Sequence, residues 1–161
     1  MRFSEIGEML ERDQRNIRKA YLKVKDKLSE KEILEIGKKE INIPTSIFSK
    51  KLGALEALTK YMKENLNMNY KEISESLGRD ERTIWTAYKK ATEKQKEPFR
   101  IKGVKINLPI SIFENEGLTA LESIIVYLRE QVMKYSEIGE LLERDQRNIW
   151  TIYSRVKKKH K

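Results

Sequence analysis

Residues 135–153 read Y-S-E-I-G-E-L-L-E-R-D-Q-R-N-I-W-T-I-Y, and the chain carries this stretch three times. Residues 3–21 are F-S-E-I-G-E-M-L-E-R-D-Q-R-N-I-R-K-A-Y, and residues 70–88 are Y-K-E-I-S-E-S-L-G-R-D-E-R-T-I-W-T-A-Y. Between residues 4–17 and 136–149 the single difference is Met9 against Leu141. In each copy apolar residues recur three and four apart on both sides of a polar break. Each copy therefore predicts two short amphipathic helices meeting at a corner. A period of about 65 residues makes the chain an array of small units.

A sharp corner between helices demands particular residue types. A small residue has to stand where the second helix crosses the first, and Gly7, Ser74 and Gly139 hold that place. Four positions later the backbone must turn left-handed, which Gly78 does without strain. Glu11 and Glu143 occupy the same corner in the other copies, at an expected cost of about 1 kcal/mol each. Ten positions after the small residue a β-branched side chain plugs the angle: Ile17, Ile84 and Ile149. Asp13, Asp80 and Asp145 stand where an N-cap for the second helix belongs. One such match is common among helix pairs. Three in register argue for a helix-turn-helix over a purely structural array of helical hairpins.

Between the copies, residues 32–43 and 99–108 are β-prone runs interrupted by Gly37 and Gly103, which predicts a two-stranded hairpin in each. I-P-T-S-I-F at 43–48 returns as L-P-I-S-I-F at 108–113, with Pro44 and Pro109 ending a strand and opening a helical turn. Leu55, Leu58, Tyr61 and Met62, then Leu121, Ile124, Ile125 and Leu128, mark the apolar face of a supporting helix in each repeat. The expected fold is mainly α: tandem helix-turn-helix modules of three helices, linked by short β-hairpins. Residues 1–31 form a partial unit without its supporting helix, and 32–96 and 97–161 form complete modules. The uncovered first unit is an expected surface for homo-oligomer formation.

Composition narrows the function classes. The net charge is +9 and the pI about 9.6, which suits a polyanionic partner: nucleic acid first, an acidic membrane surface second. The basic balance is sorted rather than spread. Residues 146–161 hold six Lys/Arg and no acid, while residues 135–145 hold four acids and one Arg. Residues 14–27 again hold six Lys/Arg with only Asp26, and the middle copy sorts more weakly. There is no cysteine, and the one histidine is His160 in the basic tail, so no metal site, cofactor or enzymatic constellation is expected. No apolar run approaches the ~20 residues that cross a bilayer, and the opening residues lack the apolar core of a signal peptide, so none is expected. The expected location is the cytoplasm, with the nucleoid.

In a helix-turn-helix the start of the second helix enters the major groove. That places Gln14, Arg15 and Arg18, then Glu81, Arg82 and Trp85, then Gln146, Arg147 and Trp150 toward bases. Arg pairs with guanine, Gln with adenine, and Glu accepts from cytosine, so the outer copies should share a preference and the middle one differ. Arg12, Lys19, Arg79, Lys89, Arg144, Thr151, Arg155 and Lys157 are the expected phosphate contacts. For Trp85 and Trp150 the favoured expectation is packing against a hairpin or neighbouring module, ahead of contact with a thymine methyl or sugar. Tyr21, Tyr88 and Tyr153 read as core.

At these residues the modules resemble the promoter-reading C-terminal domain of bacterial sigma factors. Y-K-E-I-S-E-S-L-G at 70–78, followed by Thr83-Ile84, is similar to that family's pattern. The outer copies carry Glu for the corner glycine, and Asn16 and Asn148 for the threonine. The resemblance spans about 45 residues per module and leaves out the β-prone and I-P-T-S-I-F segments. It implies double-stranded DNA binding, with RNA polymerase as a further expected partner, and does not imply promoter opening, because nothing here matches the family's polymerase-clamping and promoter-melting domains. The competing expectation is a protein-interaction array, docking polymerase or itself, that reads no DNA.

Overall fold

A computed structural model of the chain describes residues 13–25, 41–101, 103, 106–115 and 117–159, leaving out the side chains of Gln14, Tyr21, Lys23, Val24 and Lys25. The chain divides into two units between Glu40 and Ile41. In the first, Gln14–Lys25 forms helix α1. Asp13 opens it, its carboxylate accepting the Arg15 N–H at 2.8 Å. Ile17 is half-buried and Ala20 exposed, although the periodicity puts both on the buried stripe. The equivalent Ala87 and Ile152 are buried because a supporting helix covers them, and no such helix lies over Ala20 among the described residues. Gly7, Glu11 and Arg12 of the first corner, and the expected hairpin at 32–40, lie outside the described residues.

The second unit runs twice through one order of elements. Strand β1 (Asn42–Pro44) leads through a 3-10 turn (Thr45–Ile47) to α2 (Ala54–Glu64), α3 (Tyr70–Leu77) and α4 (Glu81–Lys94). Strand β2 (Asn107–Pro109) leads through a second 3-10 turn (Ile110–Phe113) to α5 (Ala120–Glu130), α6 (Tyr135–Leu141) and α7 (Gln146–Lys159). The architecture is mainly helical with one small antiparallel sheet, as expected. Each strand ends at its proline and passes straight into the helical turn.

Among the described residues the sheet joins the two repeats, and the hairpins expected at 32–43 and 99–108 lie partly outside those residues. The ladder pairs β1 with β2. Ile43 faces Leu108, the same position of each repeat, with Asn42 opposite Pro109 and Pro44 opposite Asn107. The flanking bonds are reciprocal too. Thr45 N–H donates to the Ile106 carbonyl, and Ile110 N–H to the Ile41 carbonyl, both at 2.9 Å. Exchanging the repeats reproduces the ladder, so a quasi-two-fold axis passes through the Ile43–Leu108 pair. The physical reason is burial: a lone short hairpin is marginal in water, whereas this pairing buries Ile43 and Leu108 completely.

The core follows from that pairing. Leu58 and Met62 of α2, Ile73 and Leu77 of α3 and Ile84 of α4 belong to one buried cluster with Ile124, Leu128, Ile138 and Ile149 of the second repeat. Phe48 and Phe113, from the two I-F pairs, close it. α2 touches α5, and α3 packs on the 3-10 turn of the other repeat. Three small helices per repeat bury too little alone, and sharing one core answers that deficit.

Candidate nucleic-acid interface

Each corner in the second unit has the expected construction. Gly78 turns at φ +57, and Glu143 holds the same left-handed conformation at φ +52. At the small position, a Cβ added to Gly139 would lie 2.7 Å from the Arg144 carbonyl oxygen. Ser74 fits the equivalent place by donating its hydroxyl to the Arg79 carbonyl at 2.7 Å. Ile84 and Ile149 plug the angles and are fully buried.

The second helix of each corner is then fixed at its start. The Asp80 carboxylate accepts the N–H groups of Arg82 at 2.9 Å and Thr83 at 3.3 Å, and Asp145 accepts that of Arg147 at 2.8 Å. Glu72 and Glu137, the recurring acids of the first corner helix, accept the N–H of the residue that opens it (Asn69 at 2.7 Å, Lys134 at 2.6 Å). Their recurrence is capping, as expected of a repeated surface acid.

With the corners fixed, the outward face of the second helices is set. Glu81, Arg82, Gln146 and Arg147 are all exposed, as are Arg15, Arg18 and Lys19 of α1. The side chain of Gln14 lies outside the described residues. Trp85 is 49% exposed and Trp150 56% among the described residues, and the hairpin residues against which they are expected to pack lie partly outside those residues. Both tryptophans stand one residue beyond the buried Ile84 and Ile149, on an exposed side of the helix. Lys89 lies over the Trp85 ring, 5.4 Å from its centre. Tyr88 and Tyr153 are half-buried and pack on Tyr70 and Tyr135, with ring centres 5.9 and 6.0 Å apart.

The expected phosphate contacts divide. Lys89, Arg155 and Lys157 are exposed, Lys157 stacking over Tyr153 at 5.6 Å. Arg155 leans on Glu122 at 4.0 Å, together with Lys159 at 3.9 Å. Arg79 is half-buried, and its guanidinium donates to the Leu118 carbonyl of the other repeat, which makes it a tie between repeats. Arg144 is half-buried at the second corner. The Thr151 hydroxyl donates to the Arg147 carbonyl at 2.8 Å, as Thr86 does to Arg82, so its single proton is already placed. Arg12 lies outside the described residues.

Two basic residues that the motif reading passed over join this face. Lys90 shares a groove of about 640 Å³ with Arg82, Thr83 and Thr86, and the groove's floor is the start of α2 and of α5. Lys50 stands beside Glu143, Arg144 and Gln146 at the second corner. Lys90 is legible as the helical continuation of Arg82 and Thr86. Lys50 is brought in by the other repeat, which no local pattern signals.

Carboxylates hold the far ends of both second helices. Burial alone would raise the Glu56 carboxyl, but bonds from Lys94 and the Gly53 N–H and the charges of Lys94 and Lys90 leave it below the ordinary value. Burial likewise opposes ionisation of Glu122, and the Thr119 N–H and hydroxyl with the charges of Lys159 and Arg155 outweigh it. Among the described residues no cluster of acids or His could hold a metal ion, and no helix is long and apolar enough to cross a membrane.

What the fold and this face define is a paired set of helix-turn-helix corners, each presenting the exposed start of its second helix. Comparison with protein-family models, curated proteins and solved structures finds no match.

Proposed function

We propose that the chain binds double-stranded DNA through the second helices of its corners, as a transcription regulator or chromosome-organising protein of the nucleoid. The observation that carries this reading is the exposed pairing of Arg with Trp at the start of both: Arg82 with Trp85 and Arg147 with Trp150. An exposed arginine offers a planar fork to guanine or phosphate. A tryptophan half in water one turn later offers an apolar surface to a thymine methyl or sugar. The net charge of +9 supplies the sequence-independent attraction. The likeness of the corners to the sigma-factor promoter-reading domain supports the same mode, with α4 and α7 in the major groove.

Affinity for random duplex, measured by fluorescence anisotropy, should fall steeply as salt is raised from about 50 to 200 mM. Replacing Arg15, Arg82 and Arg147 together by Ala should weaken it at least tenfold and leave the circular dichroism spectrum unchanged. Affinity that is flat in salt and indifferent to the triple variant would remove the assignment. Self-association or polymerase binding that survives the triple variant would then favour the interaction-array reading.

A further inference from the structure

The quasi-two-fold axis reaches beyond the strands. Gly78 of the first corner sits against the Glu114 carbonyl, where an added Cβ would lie at 3.1 Å. Reciprocally, Glu143 of the second corner stands beside Lys50. The first corner therefore rests on the turn that follows the 3-10 segment of the other repeat, and the second corner shares a surface pocket with Lys50 of the first repeat. This sets the course of the second helices. α4 begins at Arg79 and Asp80, with Arg79 tied to Leu118 just before α5, and it ends where Lys94 holds Glu56 of α2 at 2.8 Å. α7 begins at Asp145 and Gln146 beside Lys50, just before α2, and it ends where Lys159 approaches Glu122 of α5. Each helix starts on the other repeat and finishes on its own. The exchange that reproduces the ladder relates α4 to α7, and both carry their exposed Arg and Trp near the start.

On this geometry we propose that residues 41–161 read one duplex bearing two inverted half-sites at a single spacing, so that one chain does what a symmetric dimer does on a palindrome. The inference rests on the duplex-binding reading above. The half-sites differ where Glu81 stands for Gln146 and where Thr83 stands for Asn148, all four exposed. Glu81 and Gln146 are equivalent and exposed, and a glutamate accepts from cytosine where a glutamine pairs with adenine. Arg82 with Arg147, and Trp85 with Trp150, ask for the same bases in both halves. The target is a palindrome with built-in mismatches at these two places, read in one orientation.

The test is selection from a random duplex pool by the full chain carrying Arg15→Ala and Arg18→Ala, which silences the first unit, followed by sequencing of the retained duplexes. The expected pool holds two inverted half-sites at one spacing, unlike at the positions read by Glu81/Gln146 and Thr83/Asn148, with one chain per duplex by light scattering. Repeating the selection with Glu81→Gln added should make the half-sites alike at the first of these positions. A pool of direct repeats, of single half-sites or without base preference overturns the inference while leaving duplex binding in place. So do two duplexes held per chain, or a pool unchanged by Glu81→Gln. Retention of no duplex at low salt removes the duplex-binding reading and the inference with it.

Discussion

Glu143 and Val132 are the residues at which this chain departs most clearly from what its backbone asks. Glu143 takes the left-handed corner at φ +52 that Gly78 takes in the other repeat. Val132 turns at φ +63 where the first repeat has Asn67 at φ +55, and it is 86% exposed. A side chain in this region crowds the backbone, and a β-branched one does so most. Glu143→Gly and Val132→Gly should therefore each raise the unfolding free energy by about 1 kcal/mol in urea titration. Gly139→Ala should lower it, because the new methyl would meet the Arg144 carbonyl at 2.7 Å and a backbone oxygen has little room to yield. Both expectations follow from the corner geometry, and reversed signs would mean that the corner is not built this way.

At the scale of the element, the supporting helices show how one design is held by different chemistry. Lys60 of α2 is fully buried and pairs with Glu64 at 2.6 Å, and the Tyr88 hydroxyl of α4 donates to the same carboxylate at 3.1 Å. The second repeat places Val126 where the first has Lys60. Removing one partner of a buried pair leaves a charge with no answer, so Glu64→Leu should cost about 3–5 kcal/mol in thermal or urea unfolding. Lys60→Val copies the second repeat and should cost much less. The acids at the starts of α2 and α5 add a pH dependence. Glu122 and Glu56 both have carboxyls lowered in the folded state from an ordinary value of 4.5. Their contribution is full above that value and disappears as pH falls through the lowered one. Thermal midpoints should thus drop as pH is taken from about 5 to 3, and Glu122→Gln should flatten that drop.

For the whole molecule the governing fact is that two repeats share one core and one ladder. Residues 41–161 should unfold in a single transition, with near-UV and far-UV circular dichroism falling together. Ile43→Ala removes buried apolar volume at the quasi-two-fold axis and should lower stability by about 2–5 kcal/mol. Its effect should appear equally in Trp85 of the first repeat and Trp150 of the second, which single-Trp variants report separately by fluorescence. Two separable transitions would mean that the repeats are independent modules after all.

The threefold repetition, the corner residues, the Asp caps and the apolar faces of the supporting helices were all legible in the chain itself. They depend on contacts within a few residues, which the spacing of glycine, aspartate and isoleucine records directly. The basic face was legible for the same reason, since residues on one helix surface recur three and four apart. What only the tertiary structure decided is how the repeats meet. Nothing in the β-prone runs distinguishes a strand that folds back on its neighbour from one that pairs with its own counterpart about 65 residues away. That choice turns on which pairing buries Ile43 and Leu108, and with it went the tie from Arg79 to the other repeat. Local chemistry set the pieces, and long-range burial chose their pairing, because the free energy of covering an apolar side chain is indifferent to how far along the chain its cover lies.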